Sequence, residues 1–137
     1  MSVFASENVD YWHQAHSFVR GNWRNSKETS PMILQKSCHD MDILLWLTGK
    51  KCVSVSSYGG INLFKKEKAP EGSTEFCMQG CKVKDECVFD AEKIYIKDPV
   101  TGIEKGDSWI SSVLSVEHTV ESTYKAIENG QYGRCVY

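Results

Sequence analysis

None of the ten glycines of this chain falls in the spacing that cradles a pyrophosphate. A dinucleotide site needs a strand, then Gly-x-Gly-x-x-Gly opening a helix whose N-terminus holds the phosphates, and no such pattern occurs. Gly59-Gly60 is a lone pair inside a strand-like run and reads as a bulge or twist point. A nucleotide-binding half is therefore excluded from the sequence in hand. At 137 residues the chain is long enough for one domain with a core, spanning residues 1–137, and too short for two. Long apolar runs are also missing: nothing approaches the roughly 20 residues of a membrane-spanning helix. Residues 1–10 lack the basic-then-apolar order of an export signal, so a cytoplasmic location is expected. Charge of one sign is scarce too. A formal net charge of −2 gives no electrostatic reason for binding nucleic acid or an anionic membrane. Repeats and low-complexity segments are absent.

The most informative stretch present is residues 31–49. Ile33, Leu34, Ser37, Met41, Leu44, Leu45 and Thr48 recur at three- and four-residue steps, which predicts a helix with a core-facing stripe. Lys36, His39 and Asp40 fall on its other faces, with His39 at the border of the buried one. Pro31 suits the first turn, Ser30 can cap it, and Gly49 followed by two lysines suits a C-terminal stop. Around it, residues 9–19 alternate in character and read as a strand with His13 and His16 on opposite faces, so at most one of them faces a cleft. Residues 21–29 read as a loop, 52–64 as a strand or strand pair, and 65–74, with Pro70 and Gly72, as a surface loop. Residues 107–116 and 119–129 read as helices, the second stopped by Gly130, and 132–137 as the start of a strand cut short. The expected fold class is α+β in two layers: an open, mostly antiparallel sheet with helices on one face, incomplete at the C-terminus.

Six cysteines suggest disulfides, but without an export signal they are expected to be reduced, metal-bound or buried. Cys77-x3-Cys81-x5-Cys87 places three thiols within eleven residues. With a fourth ligand from elsewhere they would hold a tetrahedral structural zinc, and Cys38, Cys52, Cys135 and the histidines are the available donors. The spacing is not a Cys-x-x-Cys pair, and thiols without metal are the alternative.

Three segments resemble a known family. Residues 11–25 (Tyr-Trp-His-Gln-Ala-His-Ser-Phe-Val-Arg-Gly-Asn-Trp-Arg-Asn), residues 36–42 (Lys-Ser-Cys-His-Asp-Met-Asp) and residues 77–96 are similar to the C-terminal domain of the glucose-fructose oxidoreductase / inositol dehydrogenase (Gfo/Idh/MocA) family. The resemblance extends from about residue 9 onward. It implies an α/β domain with a large open sheet, preceded in the complete enzyme by a Rossmann domain that binds NAD or NADP, with the substrate between the two. No cofactor is expected on this chain alone, which reads as the substrate-side domain without its Rossmann partner. The implied substrate is a small sugar or polyol, and the sheet face implies a homo-oligomer.

By the same resemblance His39 is the acid/base for the substrate hydroxyl, and histidine chemistry suits that task. The bland alternative is a packed or capping histidine beside Asp40. The family pattern has a carboxylate one turn before this histidine; here that position is Gln35, which can hydrogen-bond a hydroxyl but cannot accept its proton. Lys36 is either a substitute cation or a solvated lysine. Asp42 either orients the imidazole or is ordinary surface charge. Arg20, Trp23 and Arg24 match the region that enters the substrate cleft, where arginine grips oxygen-rich ligands and tryptophan stacks on a sugar ring; Trp23 as a loop anchor is the alternative. Two other functions stay open: a non-catalytic dimerisation or ligand-binding module, and part of a nicotinamide-dependent glycosidase.

Overall fold

The computed structural model describes residues 2–105, 117 and 119–137. The helix expected over 107–116 lies outside the described residues.

The chain enters its core through a short helix, not a strand. Asp10 caps α1 (Tyr11–Gln14), its Oδ1 accepting from Trp12 N at 3.4 Å. The helix then widens into a π-turn, Ala15–Val19, where Arg20 N reaches back five residues to Ala15 O at 3.0 Å. Trp12, Ala15, His16 and Val19 stand at i, i+3, i+4 and i+7, so the helical period carries the inward-facing side chains. The alternation along 9–19 is incidental to it. Gly21 ends the turn in a place where a Cβ would collide with the His16 carbonyl.

The second core piece is the π-helical segment Lys93–Lys97, which buries Ile94, Tyr95 and Ile96. Asp90 opens it by accepting from Lys93 N at 3.0 Å. Asp98 closes it, its Oδ1 accepting from Val100 N at 2.7 Å and Thr101 N at 2.9 Å. Helix α3 (Val120–Glu128) lays Thr123, Ala126 and Ile127 inward, and Ile127 joins Ile94, Tyr95, Ile96, Ile103 and Tyr132 in the main apolar cluster. A second cluster centres on Ala15, Phe89 and Val136. There Phe89 meets the rings of Tyr11, Phe64 and Tyr137 at 5.7, 5.5 and 5.9 Å, all edge to face.

Two expectations are corrected here. The open antiparallel sheet is not present: among the described residues the only β pairing is a single antiparallel bridge between Phe76 and Arg134. Residues 52–64 form no hydrogen-bonded ladder, and Val53 and Tyr58 are each 96% exposed. The reason is that a strand is completed by a neighbour that accepts and donates its backbone hydrogen bonds, and period-two patterning does not supply that neighbour. The second correction concerns α2 (Met32–Thr48). The helix forms as expected and stops at Gly49 in the left-handed region, φ 60°. Its expected core stripe is not buried, however. None of its residues is fully buried, and Ile33, Leu34, Met41 and Leu45 all face outward. Pro31 takes the N-cap position without a side-chain cap, while the Ser30 hydroxyl accepts a hydrogen bond from the Gln35 amide instead.

Candidate functional site

On α2 the polar side chains stand in small local groups. The His39 side chain is 56% exposed, with Nε2 3.4 Å from Asp40 Oδ1. Glu7 folds over the same point, so that ligand atoms of Glu7, His39 and Asp40 lie within 4.8 Å of one another. One turn back, Lys36 Nζ is 3.3 Å from His13 Nε2. Burial and the Lys36 ammonium hold the His13 imidazole below its ordinary range, with Asp10 opposing them. Lys36 also lines an open hollow of about 410 Å³ together with Glu7, Met32, Ser37 and Gly59-Gly60. Gln35 is turned to Ser30, and Asp42 is exposed.

The turn after α1 divides its two arginines. Arg20 is internal: Nη2 donates to Phe89 O at 2.8 Å and the guanidinium lies 5.3 Å from the Tyr95 ring centroid. Arg24 is exposed, with Nη1 donating to Gly21 O at 3.1 Å, and Trp23 beside it is exposed as well. Arg20 and Arg24 line one hollow of about 150 Å³ with Asn22 and Tyr132. That hollow is separate from the one beside Lys36.

Sequence reasoning missed His16 as a structural centre. Its Nδ1 is 3.0 Å from the Tyr95 hydroxyl, and its ring stacks on Tyr132 at 4.4 Å with 11° between planes. Burial, reinforced by Arg20 and His13, pulls its pKa down to about 4, so the ring is neutral at pH 7. Burial also pushes Tyr95 up to about 12. The helical spacing from Trp12 to Val19 was the signal for this cluster.

The three clustered cysteines do meet a fourth. Cys77, Cys81, Cys87 and Cys135 line one cavity with Phe89 and Asp90. Burial raises the Cys77 and Cys87 thiols above their ordinary range.

Residues 2–96 match the family described as "Oxidoreductase family, C-terminal alpha/beta domain". The chain belongs to this family, the Gfo/Idh/MocA oxidoreductases. The matched span contains α1, α2 with His39, and the first three cysteines of the cavity. Over 144 aligned residues the chain is 30% identical to "Putative oxidoreductase YteT" of Bacillus subtilis (strain 168), covering 91% of this chain and 32% of that protein. It thus spans about a third of the length of that relative. No solved structure matches the chain. Among the described residues no helix is long and apolar enough to cross a membrane.

Proposed function

We propose that this chain is the substrate-side domain of an NAD- or NADP-dependent oxidoreductase acting on a sugar, polyol or related hydroxy compound, and that it is inactive by itself. The observation that carries the reading is the family match over residues 2–96, because that span includes α2 with an accessible imidazole at His39. The residues of this chain do not fit a nicotinamide nucleotide, because no Gly-x-Gly-x-x-Gly turn opens a helix. The cofactor belongs to a Rossmann domain outside this sequence, where it would accept the hydride.

What remains for this chain is binding and proton transfer. His39 takes the hydroxyl proton of the substrate. With Nε2 directed at Asp40 Oδ1, Nδ1 is the nitrogen left to receive it. Asp40 supplies, from the adjacent position, the negative charge that Gln35 cannot, and Asp42 lies along the same helix. Lys36, at the rim of its hollow, contributes a cation toward substrate oxygens. Trp23 and Arg24, which the family resemblance places at the cleft, stand apart from the Lys36 hollow on a turn that Arg20 holds from within, so they are not assigned to the substrate of His39.

The test uses the complete enzyme containing both domains. His39→Ala is expected to lower kcat by about 10²- to 10⁴-fold, with the circular dichroism spectrum unchanged. An unimpaired rate in that variant excludes the role. The isolated chain is expected to show no turnover and no saturable NAD binding.

A further inference from the structure

We propose that Cys77, Cys81, Cys87 and Cys135 form a tetrahedral tetrathiolate site for one Zn²⁺, which staples the 77–87 segment to the chain's last residues. Four of the six cysteines line a single cavity, walled by Phe89, Val136 and Tyr137. Its free volume of about 20 Å³ leaves room for a small occupant such as a single ion. Cys38 and Cys52 are exposed and lie elsewhere.

The Phe76–Arg134 bridge brings the fourth ligand. Cys77 N donates to Gly133 O and Cys135 N donates to Glu75 O, both at 2.8 Å, on either side of the Phe76–Arg134 pair. Side chains alternate across such a pair. Phe76 and Arg134 take one face, where the guanidinium lies 4.8 Å from the Phe76 ring centroid. Cys77 and Cys135 share the other, which faces the cavity. Cys81 and Cys87 reach the same cavity from the turn that follows, where Lys84 N bonds to Cys81 O and Cys87 N to Val83 O.

The charges around the site are mixed: Lys84 and Arg20 favour a metal thiolate, while Asp90 opposes it. Zn²⁺ bound by four thiolates carries a net −2, and its formation releases four protons from the four thiols. Arg20, buried beside the cavity, directs Nη1 at Cys77 Sγ from 3.9 Å, a hydrogen bond to sulfur of the kind that steadies a metal thiolate. No three of these sulfurs lie within 4.8 Å of one another, so capture of the ion requires the side chains of the turn to rotate inward. A four-sulfur tetrahedral set selects zinc or iron; the proposal is zinc, a closed structural site without redox chemistry. It stands on the gathering of four cysteines around one cavity and is independent of the role of His39.

The test is metal analysis of the full chain, purified without chelator or metal-affinity tag. About one zinc per chain is expected. Cys135→Ser should weaken zinc retention by about tenfold or more, while Cys38→Ser keeps the full equivalent. Because Cys135→Ser could fail to fold, Co²⁺ is added to the metal-free wild-type chain as a second measurement, and strong thiolate-to-cobalt charge-transfer absorption with tetrahedral d–d bands is expected. Iron, or no stoichiometric metal, overturns the proposal. So does a thiol titration of the unfolded, metal-free, unreduced protein that finds only Cys38 and Cys52 reactive, which would mean two disulfides.

Discussion

His16 concentrates at one side chain what the fold requires of protonation. Its pKa of about 4 lies below the ordinary 6.5, with burial as the largest cause. As pH falls, the unfolded chain therefore takes up a proton before the folded one does. The corresponding stability is fully present above about pH 6.5 and is lost as pH drops toward 4, by roughly 3 kcal/mol at most. Urea unfolding at a series of pH values should show that decline, and His16→Gln should flatten most of it. His13 acts in the same sense and remains in the variant, so some slope persists. Glu92, held low by Lys84 and Lys97, acts only below about 4.5. A wild-type slope surviving intact in His16→Gln would place the titrating group elsewhere. The sequence names this histidine but not its surroundings, because Tyr95 and Tyr132 reach it from distant segments and only the folded chain puts three rings together. For His39 the spacing within α2 gave the helix and its place along it, but the buried face it was expected to border does not form.

The elements that could be read were those that satisfy their own hydrogen bonds. α2 and α3 are both visible from periodicity and end signals, and both form. Thr119 illustrates the end signal: its Oγ1 accepts from Ser122 N at 3.1 Å, occupying one of the free donors of the first turn. Thr119→Ala should destabilise the chain by about 1 kcal/mol, seen as a lower denaturation midpoint with an unchanged slope. Thr119→Ser should restore most of it, and equal loss in both variants would show that the cap hydrogen bond is not responsible. Strands depend on partners, which is why residues 52–64 and 132–137 misled. The Phe76–Arg134 bridge shows the converse, since nothing in the spacing of the first three cysteines points to residue 135.

At the scale of the whole molecule, the core and the apolar surface are in different places. The buried clusters use α1, the π-turns, α3 and the last residues, whereas α2 presents Ile33, Leu34, Trp46 and Leu47 to solvent, Trp46 at 79% and Leu47 at 62% exposure. Burial of side chains of this size is worth roughly 1.5–3 kcal/mol each, and at about 100° per residue these four point all round the helix, so α2 exposes apolar surface on more than one side. The sheet expected to mediate self-association does not form among the described residues, and α2 is the exposed apolar element on which self-association can be tested. A nucleotide-binding domain covering this helix and a second copy of the chain covering it give different outcomes. Two measurements separate these roles. Sedimentation velocity of the isolated chain should show association that grows with concentration, and Trp46→Glu combined with Leu47→Glu should shift it to monomer, because the charges would have to be desolvated in the contact. Adding the separately produced nucleotide-binding domain should compete with self-association and remove binding of a hydrophobic dye in proportion. A monodisperse monomer at every concentration, with the dye unbound, would show that the exposed helix is not a docking face, and the placement of His39 between two domains would then lose its structural basis.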